Sequence, residues 1–166
     1  GRPHPHDPEI ICGAFQDTRI VGTMSLEFRD DETQFSLEAS YFFDRTRTPF
    51  PFIRSTFVQF GRWTAIVPNI SHALIYSANR YALHCGKQYG WSEIMPKVAD
   101  RFRELGVVLY PIPDARPNLA SIPPHMQELF TEDPHFSLYM VDLKEKDQRL
   151  AVRLRQELRE GKFVFK

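Results

Sequence analysis

The sequence predicts a mixed α/β fold, a central sheet flanked by helices, and three observations lead to this. Short apolar runs bounded by turn residues indicate strands near both ends of the chain. Two segments in the middle repeat apolar residues at helical spacing and end in glycine. Strand and helix patterns alternate, and 166 residues suffice for one layered domain. We therefore expect a single domain over residues 1–166, with a polar, proline-rich start at 1–9 that is flexible or continues a longer natural protein.

The N-terminal part predicts a β-hairpin and an irregular connection. Apolar runs at residues 10–15 and 20–26 flank the turn segment QDTR, which is the pattern of a hairpin. Residues 30–52 are charged, then aromatic, and contain prolines, so we expect a connection that places Phe42 and Phe43 in the core.

The third predicted strand, RSTFVQFGRWTAIV, holds a glycine and an arginine inside an apolar run. A glycine in a strand interior weakens the strand unless another backbone or a ligand approaches closely. An arginine there must pair with a carboxylate or reach water, because an isolated buried charge is prohibitive. Gly61 therefore indicates a ligand contact, and Arg62 indicates either a paired site residue or an edge-strand arginine that points outward.

The clearest helix start follows this strand. Pro68 and Ser71 precede apolar residues at helical spacing; Ser71 is the predicted N-cap, and Gly86 stands at the C-terminal end. A second helical pattern covers residues 92–106, with Pro96 tolerated in its first turn. Between the two helices, the segment KQYGW can form a strand.

The last third of the chain predicts two strands and a terminal helix. The segments VVLYPI and FSLYMVDL have the composition of strands, and residues 113–135 between them predict a long, proline-rich loop with one helical turn. Residues 145–163 predict an amphipathic helix whose mixed charges favour a solvated face.

The composition excludes several classes of protein. The 21 basic and 21 acidic side chains give a formal net charge of zero, so nothing draws the whole molecule to nucleic acid or an anionic membrane. No run approaches the ~20 apolar residues of a membrane helix. Cys12 and Cys85 show no C-x-x-C spacing and the histidines are scattered, so we expect no metal site and no disulfide framework. A reducing, cytoplasmic location is favoured.

Four segments of the chain resemble, in order, one group of acyltransferases. RIVGTMSL looks like their V-G-T strand, and FSLEASYFF looks like their segment ending in a core phenylalanine, here Phe43. QFGRWTA occupies the place of their E-x-S-R-F strand, and GWSEIMPKVADRFRELGV is similar to an M-x-P-x-L helix motif. The chain thus resembles, over residues 10–110, the acyl-homoserine-lactone synthases and N-acyl amino acid synthases, including exosortase-associated enzymes, of the GNAT superfamily.

This resemblance implies a GNAT-like fold with a splayed central strand and a thioester donor in the gap. The donor is acyl carrier protein or acyl-CoA, and the acceptor is the amine of an amino acid or similar small molecule. VPNISHA lacks the glycine-rich pyrophosphate loop, which favours acyl carrier protein, and the charged terminal helix is an alternative docking patch for it. The implied donor contacts are Trp63, Thr64, Ala65, Ile66, Asn69 and Ser71. For Ser71 the alternative is a helix cap and nothing more.

The proton acceptor is where the sequence departs from the resemblance. Gln59 stands where the family has glutamate, and an amide exchanges hydrogen bonds but does not take a proton. The alternatives are a water chain held by Gln59, a carboxylate of Glu27, Glu38 or Asp44, or a changed acceptor or lost activity. We carry Gln59 and Glu27 forward as catalytic candidates.

Arg62 and Ser25 bear on the support of the site and on the acceptor substrate. The resemblance implies that Arg62, the third catalytic candidate, supports the site by pairing with an acidic residue near the N-terminus, Asp7 or Glu9. Ser25 replaces an arginine that lactone synthases carry, which argues against homoserine-lactone synthesis in particular.

Aromatic residues predict a slot for the acyl chain, since a long acyl group needs an apolar pocket. The candidates are Phe43, Phe60, Leu74 and Phe102, and the alternative is that they form ordinary core. Two other functions remain open: an acetyl-CoA-dependent N-acetyltransferase, and a catalytically silent module that binds acyl groups.

Overall fold

The computed structural model describes residues 9–65, 70–131 and 136–161, which form a mixed sheet flanked by helices. The strands are β1 (Glu9–Gln16), β2 (Arg19–Phe28), β3 (Tyr41–Phe42), β4 (Phe57–Ala65), β5 (Tyr89–Ile94), β6 (Tyr110–Pro111), β7 (Arg116–Pro117) and β8 (Ser137–Asp142). The helices are α1 (Ser36–Ser40), α2 (Ile70–His84), α3 (Pro96–Glu104), α4 (Glu128–Thr131) and α5 (Leu143–Arg159).

The main sheet has six strands in the order β1-β2-β4-β5-β8-β6, and β3 and β7 form a separate two-stranded sheet. β4 and β5 are parallel, and the other neighbours in the main sheet are antiparallel. The parallel pair is joined by the crossover helix α2, as parallel strands require. The predicted mixed α/β fold is confirmed.

Two cores lie on opposite faces of the sheet because side chains alternate along each strand. Val58 and Phe60 of β4 face α2, α3 and α5, in a largely aliphatic core. Phe57 faces the other way, with Phe35 and Trp91, in a core rich in aromatic rings. The centre of the molecule is therefore β4, which contributes to both.

Two carboxylates, the buried Glu38 and the hydrogen-bonded Asp31, hold the connection between β2 and β4 in place. Glu38 of α1 accepts hydrogen bonds from Arg54 at 2.9 Å and pairs with Arg45 at 2.6 Å, and its own side chain is fully buried. Asp31 accepts hydrogen bonds from the backbone N–H of Ser55 at 2.8 Å and from its hydroxyl at 3.0 Å. These contacts fix a segment with little regular structure against the start of β4.

The predicted helix boundaries are partly correct. Gly86 and Gly106 follow α2 and α3 with φ of 78° and 83°, the left-handed conformation that ends a helix. Ser71 is not an N-cap, because α2 already includes Ile70. Residues 92–94 were expected in a helix but belong to β5, since Met95 precedes a proline and is extended, with φ −70° and ψ 149°.

Two other expectations are wrong. Residues 107–112 were predicted as a strand, and only Tyr110–Pro111 pairs with β8. Phe42 was expected in the core, but 52% of it is exposed, because alternation in β3 turns its neighbour Tyr41 inward. Phe42 instead packs against the guanidinium of Arg116.

Candidate active site

The parallel strands β4 and β5 diverge after a short ladder. They pair at three positions, and the last pair is Gln59 with Trp91. β4 continues to Ala65, still paired with β2, and just beyond the last β4–β5 pair the Ser92 hydroxyl donates a hydrogen bond to the Phe60 carbonyl at 2.8 Å. One edge of Gly61–Ala65 therefore faces a gap, which confirms the predicted splayed strand.

The gap opens into a cavity of about 290 Å³ between β4, β5, α3, β8 and α5. Most of its wall is apolar, including Met24, Phe60, Trp91, Ile94, Val98 and Phe102. The polar part of the wall includes Gln59, Arg62, Ser92, Glu93 and Lys146. A mostly apolar cavity with a few polar groups is the usual form of a small-molecule site.

Arg62 lies in a β-bulge at the mouth of the gap. Ser25 pairs with Gly61 but Thr23 pairs with Thr64, so Arg62 and Trp63 together face Met24. The extra residue has φ 45°, an unusual conformation for a side chain of this size. Its side chain is 75% exposed, and its guanidinium pairs with Glu9 at 3.3 Å.

Arg62 was expected to be either a paired site residue or an arginine that points outward, and it has features of both. The predicted pairing with Glu9 is confirmed, and the side chain points outward into solvent. The other predicted partner, Asp7, lies outside the described residues.

Gln59 lines the cavity, but hydrogen bonds occupy both of its polar atoms. Its Oε1 accepts from the Leu37 N–H at 3.2 Å, and its Nε2 donates to the Ser36 hydroxyl at 2.7 Å. The Ser36 hydroxyl in turn donates to Glu27 at 2.7 Å. Gln59 and Glu27, which face each other across β2 and β4, therefore hold the start of α1 against the sheet.

The carboxylates considered as proton acceptors are placed away from the cavity wall. Glu27 accepts from the Ser36 N–H at 2.9 Å and pairs with Arg29 at 2.7 Å. Glu38 is taken up by its two arginines, and Asp44 accepts from Thr46 at 2.6 Å. The catalytic role of Glu27 stays a prediction that its placement does not favour.

Glu93 of β5 is the carboxylate on the cavity wall, and sequence reasoning missed it. Tyr41 donates a hydrogen bond to Glu93 Oε2 at 2.9 Å. Burial raises the pKa of Glu93 above the ordinary glutamate range, and burial together with Glu93 raises the pKa of Tyr41. The available signal was the alternation Trp91-Ser92-Glu93, which the helical interpretation of residues 92–106 concealed.

The predicted donor-binding residues are only partly brought together. Trp63 lines the cavity, whereas Thr64 and Ala65 are exposed beyond it, with the Thr64 hydroxyl 2.8 Å from that of Thr23. Ser71 lines a separate small cavity of about 40 Å³, together with Trp63 and Arg101. Ile66 and Asn69 lie outside the described residues.

The predicted acyl-pocket residues divide in the same way. Phe60 and Phe102 line the cavity. Leu74 is a buried core residue of α2, and Phe43 packs its ring edge against Trp91, 5.7 Å between centroids, behind the wall. Leu74 and Phe43 are thus ordinary core residues and do not line the cavity.

The described part of the chain lacks the features of two other classes of site. No group of three histidine, cysteine or carboxylate residues there is placed to hold a metal ion. None of the helices in these residues is both long and apolar enough to cross a membrane.

Comparison with known proteins gives structural likeness without sequence matches. No protein-family model and no curated protein matches the sequence significantly. The CoA-dependent acyl-homoserine lactone synthase BjaI, solved with SAM and isopentyl-CoA, superposes with TM-score 0.62 at 14% identity, covering 93% of this chain and 67% of that one. The CoA-dependent synthase MesI gives 0.58 at 13% identity, covering 96% and 71%. FeeM, an N-acyl amino acid synthase from uncultured soil microbes, gives 0.50 at 13% identity, covering 86% and 77%.

This chain has the fold of the acyl-homoserine lactone synthases. It spans about two thirds of the length of BjaI. At these identities the likeness is one of fold, and the chemistry must be argued from the cavity.

Proposed function

We propose that this protein is an acyltransferase that moves an acyl group from a thioester donor to the amine of a small molecule. The observation that carries the proposal is the gap between β4 and β5, which leads into a mostly apolar cavity of about 290 Å³. A pantetheine arm can add to the free edge of Gly61–Ala65 as an extra strand would, and its acyl chain then enters the apolar cavity.

The donor is a carrier-bound or CoA thioester. Among structures with this fold, BjaI was solved with isopentyl-CoA, which supports a thioester in the gap. The missing glycine-rich loop favours acyl carrier protein. We extend the proposal to a cytoplasmic location, which the free thiols of Cys12 and Cys85 support because they suit a reducing compartment.

The reaction assigned to this site is aminolysis of the thioester. The amine attacks the thioester carbonyl, a C–N bond forms, the C–S bond breaks, and the thiol leaves with a proton. Glu93 is the proton acceptor in this proposal, because it lines the cavity and Tyr41 fixes its orientation. A water chain held by Gln59, which lines the same cavity, is the competing assignment.

The test uses Glu93→Gln and, as its matched control, Glu104→Gln on the exposed side of α3. Both are assayed with acyl-CoAs of increasing length, acylated carrier protein and mixed amino acids. We expect Glu93→Gln to lower kcat by about 100-fold or more and Glu104→Gln to leave it unchanged. Full activity of Glu93→Gln transfers the role to Gln59, and no turnover by the wild type with any donor removes the acyltransferase proposal.

The pH dependence gives a second readout. The pKa of Glu93 is raised by burial, so its ionised, proton-accepting form is lost as pH falls at a higher pH than for an ordinary glutamate of pKa about 4.3. Protonation of the amine acceptor lowers the rate of every variant toward acid, so the wild type is compared with Glu93→Gln. We expect an additional acid decline in the wild type with a midpoint above that value, and pH profiles of the same shape in both proteins contradict the assignment.

The silent acyl-binding module remains the second candidate, because Gln59 is an amide that cannot take a proton and both of its polar atoms already hydrogen-bond to the start of α1. Lipid retained in native mass spectrometry without any acyl transfer supports it. Transfer of acetyl groups only, without response to carrier protein, identifies an acetyltransferase instead.

A further inference from the structure

Lys146 of α5 is a lysine buried at the wall of the cavity. It is 4% exposed, it lines the cavity, and its Nζ lies 4.0 Å from the centroid of the Phe60 ring. Within the described residues its Nζ makes no ion pair and no hydrogen bond. Burial lowers the pKa of Lys146 to about 7, so the amine gains or loses its proton near neutral pH.

Stability does not explain a lysine at this position. Lys146 lies on the buried face of α5 together with Leu143, Leu150 and Leu154. Successive residues of this set are three or four positions apart, the spacing of one helix face. A leucine or methionine would fill the position without burying an ammonium group, and such replacements are commonly neutral or stabilising. The lysine is therefore better explained by something that enters the cavity.

We propose that Lys146 binds a carboxylate of the ligand that occupies the cavity. An ammonium group has three donors and no acceptor, and a carboxylate supplies both hydrogen-bond acceptors and the opposite charge. This inference rests on the proposed function, which offers two sources: the carboxylate of an amino acid acceptor, or a carboxylate at the far end of the acyl chain.

The other ionisable groups around the cavity do not serve this role. Arg62 of β4 is exposed and paired with Glu9, and Glu93 of β5 carries the wrong charge. Tyr139 of β8 lines the cavity and packs against Arg103 of α3.

Several charges near Lys146 on α2, α5 and the end of β8 have partners of their own. Arg80 of α2 pairs with Asp147 of α5 at 3.3 Å. Asp142 caps the N–H of Glu145, and Glu145 accepts a hydrogen bond from Tyr110 at 2.9 Å. Among the described residues, Lys146 is thus the unpaired cation that an anionic ligand group meets inside the cavity.

The first experiment measures binding without requiring turnover. Trp63 and Trp91 are the two tryptophans of the chain and both line the cavity, so intrinsic fluorescence reports on occupancy. Octanoate and 1-octanol, which share a chain length, are titrated at pH 6 into the wild type, Lys146→Met and the exposed control Lys144→Met. We expect wild type and Lys144→Met to bind octanoate at least tenfold more tightly than octanol, and Lys146→Met to show no preference. Equal affinities in the wild type overturn the proposal.

The second experiment follows proton uptake. With a pKa of about 7 in the free protein, Lys146 must gain a proton to pair with octanoate at high pH, so binding weakens about 30-fold from pH 6 to pH 8.5. Glu93 is present in both proteins, so a pH dependence that Lys146→Met loses is assigned to Lys146, and we expect little pH dependence in that variant. The same pH dependence in Lys146→Met as in the wild type overturns the proposal.

Turnover then identifies the source of the carboxylate. Adipyl-CoA is compared with hexanoyl-CoA as donor, and leucine with isopentylamine as acceptor. In the pair where the wild type prefers the acidic compound and Lys146→Met does not, the carboxylate belongs to that substrate: the donor in the first pair, the acceptor in the second. If Lys146→Met leaves the preference unchanged in both pairs, the inference is contradicted. A wild type without acyl transfer rejects the proposed function alone, because the fluorescence result stands independently.

Discussion

The two halves of β4 differ in almost every physical respect. Phe57–Phe60 is buried; its residues pair with β2 from Val58 onward on one side and with β5, up to Gln59, on the other. Gly61–Ala65 is exposed or half-buried and pairs with β2 alone. The first four residues of β4 are thus core, although Gln59 and Phe60 also line the cavity, and the next five have an open edge. This is why an apolar run can contain a glycine and an arginine.

Small features at the junction produce this difference. The Phe60 ring lies over Gly90, where an added Cβ would be 2.4 Å from the ring, so only glycine lets the strands approach there. Immediately afterwards the bulge at Arg62 increases the twist of β4 and turns it away from β5. The gap is therefore built into the sheet and does not require a ligand to form.

The largest effect that tests this comparison is on the buried half. We expect Phe57→Ala to lower the free energy of unfolding by about 3–5 kcal/mol, because it leaves a cavity at a fully buried position. Trp63→Ala, in the exposed half, should lower it by about 2 kcal/mol or less while weakening ligand binding. Urea denaturation measures both, and equal losses would show that the two halves contribute alike.

A smaller effect is expected at the boundary between the halves. In the wild type, the Gln59 amide donates a hydrogen bond to the Ser36 hydroxyl, which itself donates to Glu27. Gln59→Glu removes the amide donor and places a carboxylate next to a hydroxyl whose proton is already used. We expect a loss of about 1–3 kcal/mol at pH 8. The added carboxyl is more easily accommodated when protonated, so its folded-state pKa is raised and the loss should shrink as pH falls toward about 5. Denaturation at the two pH values tests this, and a constant loss would contradict the network.

The smallest effect concerns the bulge itself. Arg62→Ala keeps the left-handed strain and Arg62→Gly removes it, and both remove the exposed ion pair with Glu9. We expect the glycine variant to be more stable than the alanine variant by about 1 kcal/mol. If thermal unfolding ranks alanine above glycine, the positive φ at Arg62 is not present in solution.

Much of the fold followed from local patterns. The hairpin was predictable because QDTR separates two apolar runs, and the ends of α2 and α3 were predictable because Gly86 and Gly106 adopt a conformation that other residues avoid. The splayed strand followed from the resemblance of QFGRWTA and from the cost of Gly61 in a strand.

The candidate site was harder to predict because its polar groups are defined by tertiary packing. Glu93 lies in a short segment that fits strand and helix equally well, and only the extended backbone of Met95 decides between them. Lys146 belongs to a run of charges that predicts a solvated helix, and its burial depends on how α5 meets the sheet. A bulge leaves no signature in the sequence when the residue with positive φ is an arginine.

The Asp31 anchor of the connection between β2 and β4 implies that access to the cavity is sensitive to acid. Hydrogen bonds from Ser55 hold the pKa of Asp31 below its ordinary range, so this anchor contributes stability above the unfolded-state pKa and loses it as pH falls through the lower folded value. The same connection carries Leu37, which forms part of the wall beside Gln59. Acidification should therefore loosen this connection, and with it one wall of the cavity, at a higher pH than the one at which the sheet unfolds. Faster amide hydrogen exchange confined to the connection would reveal the local opening.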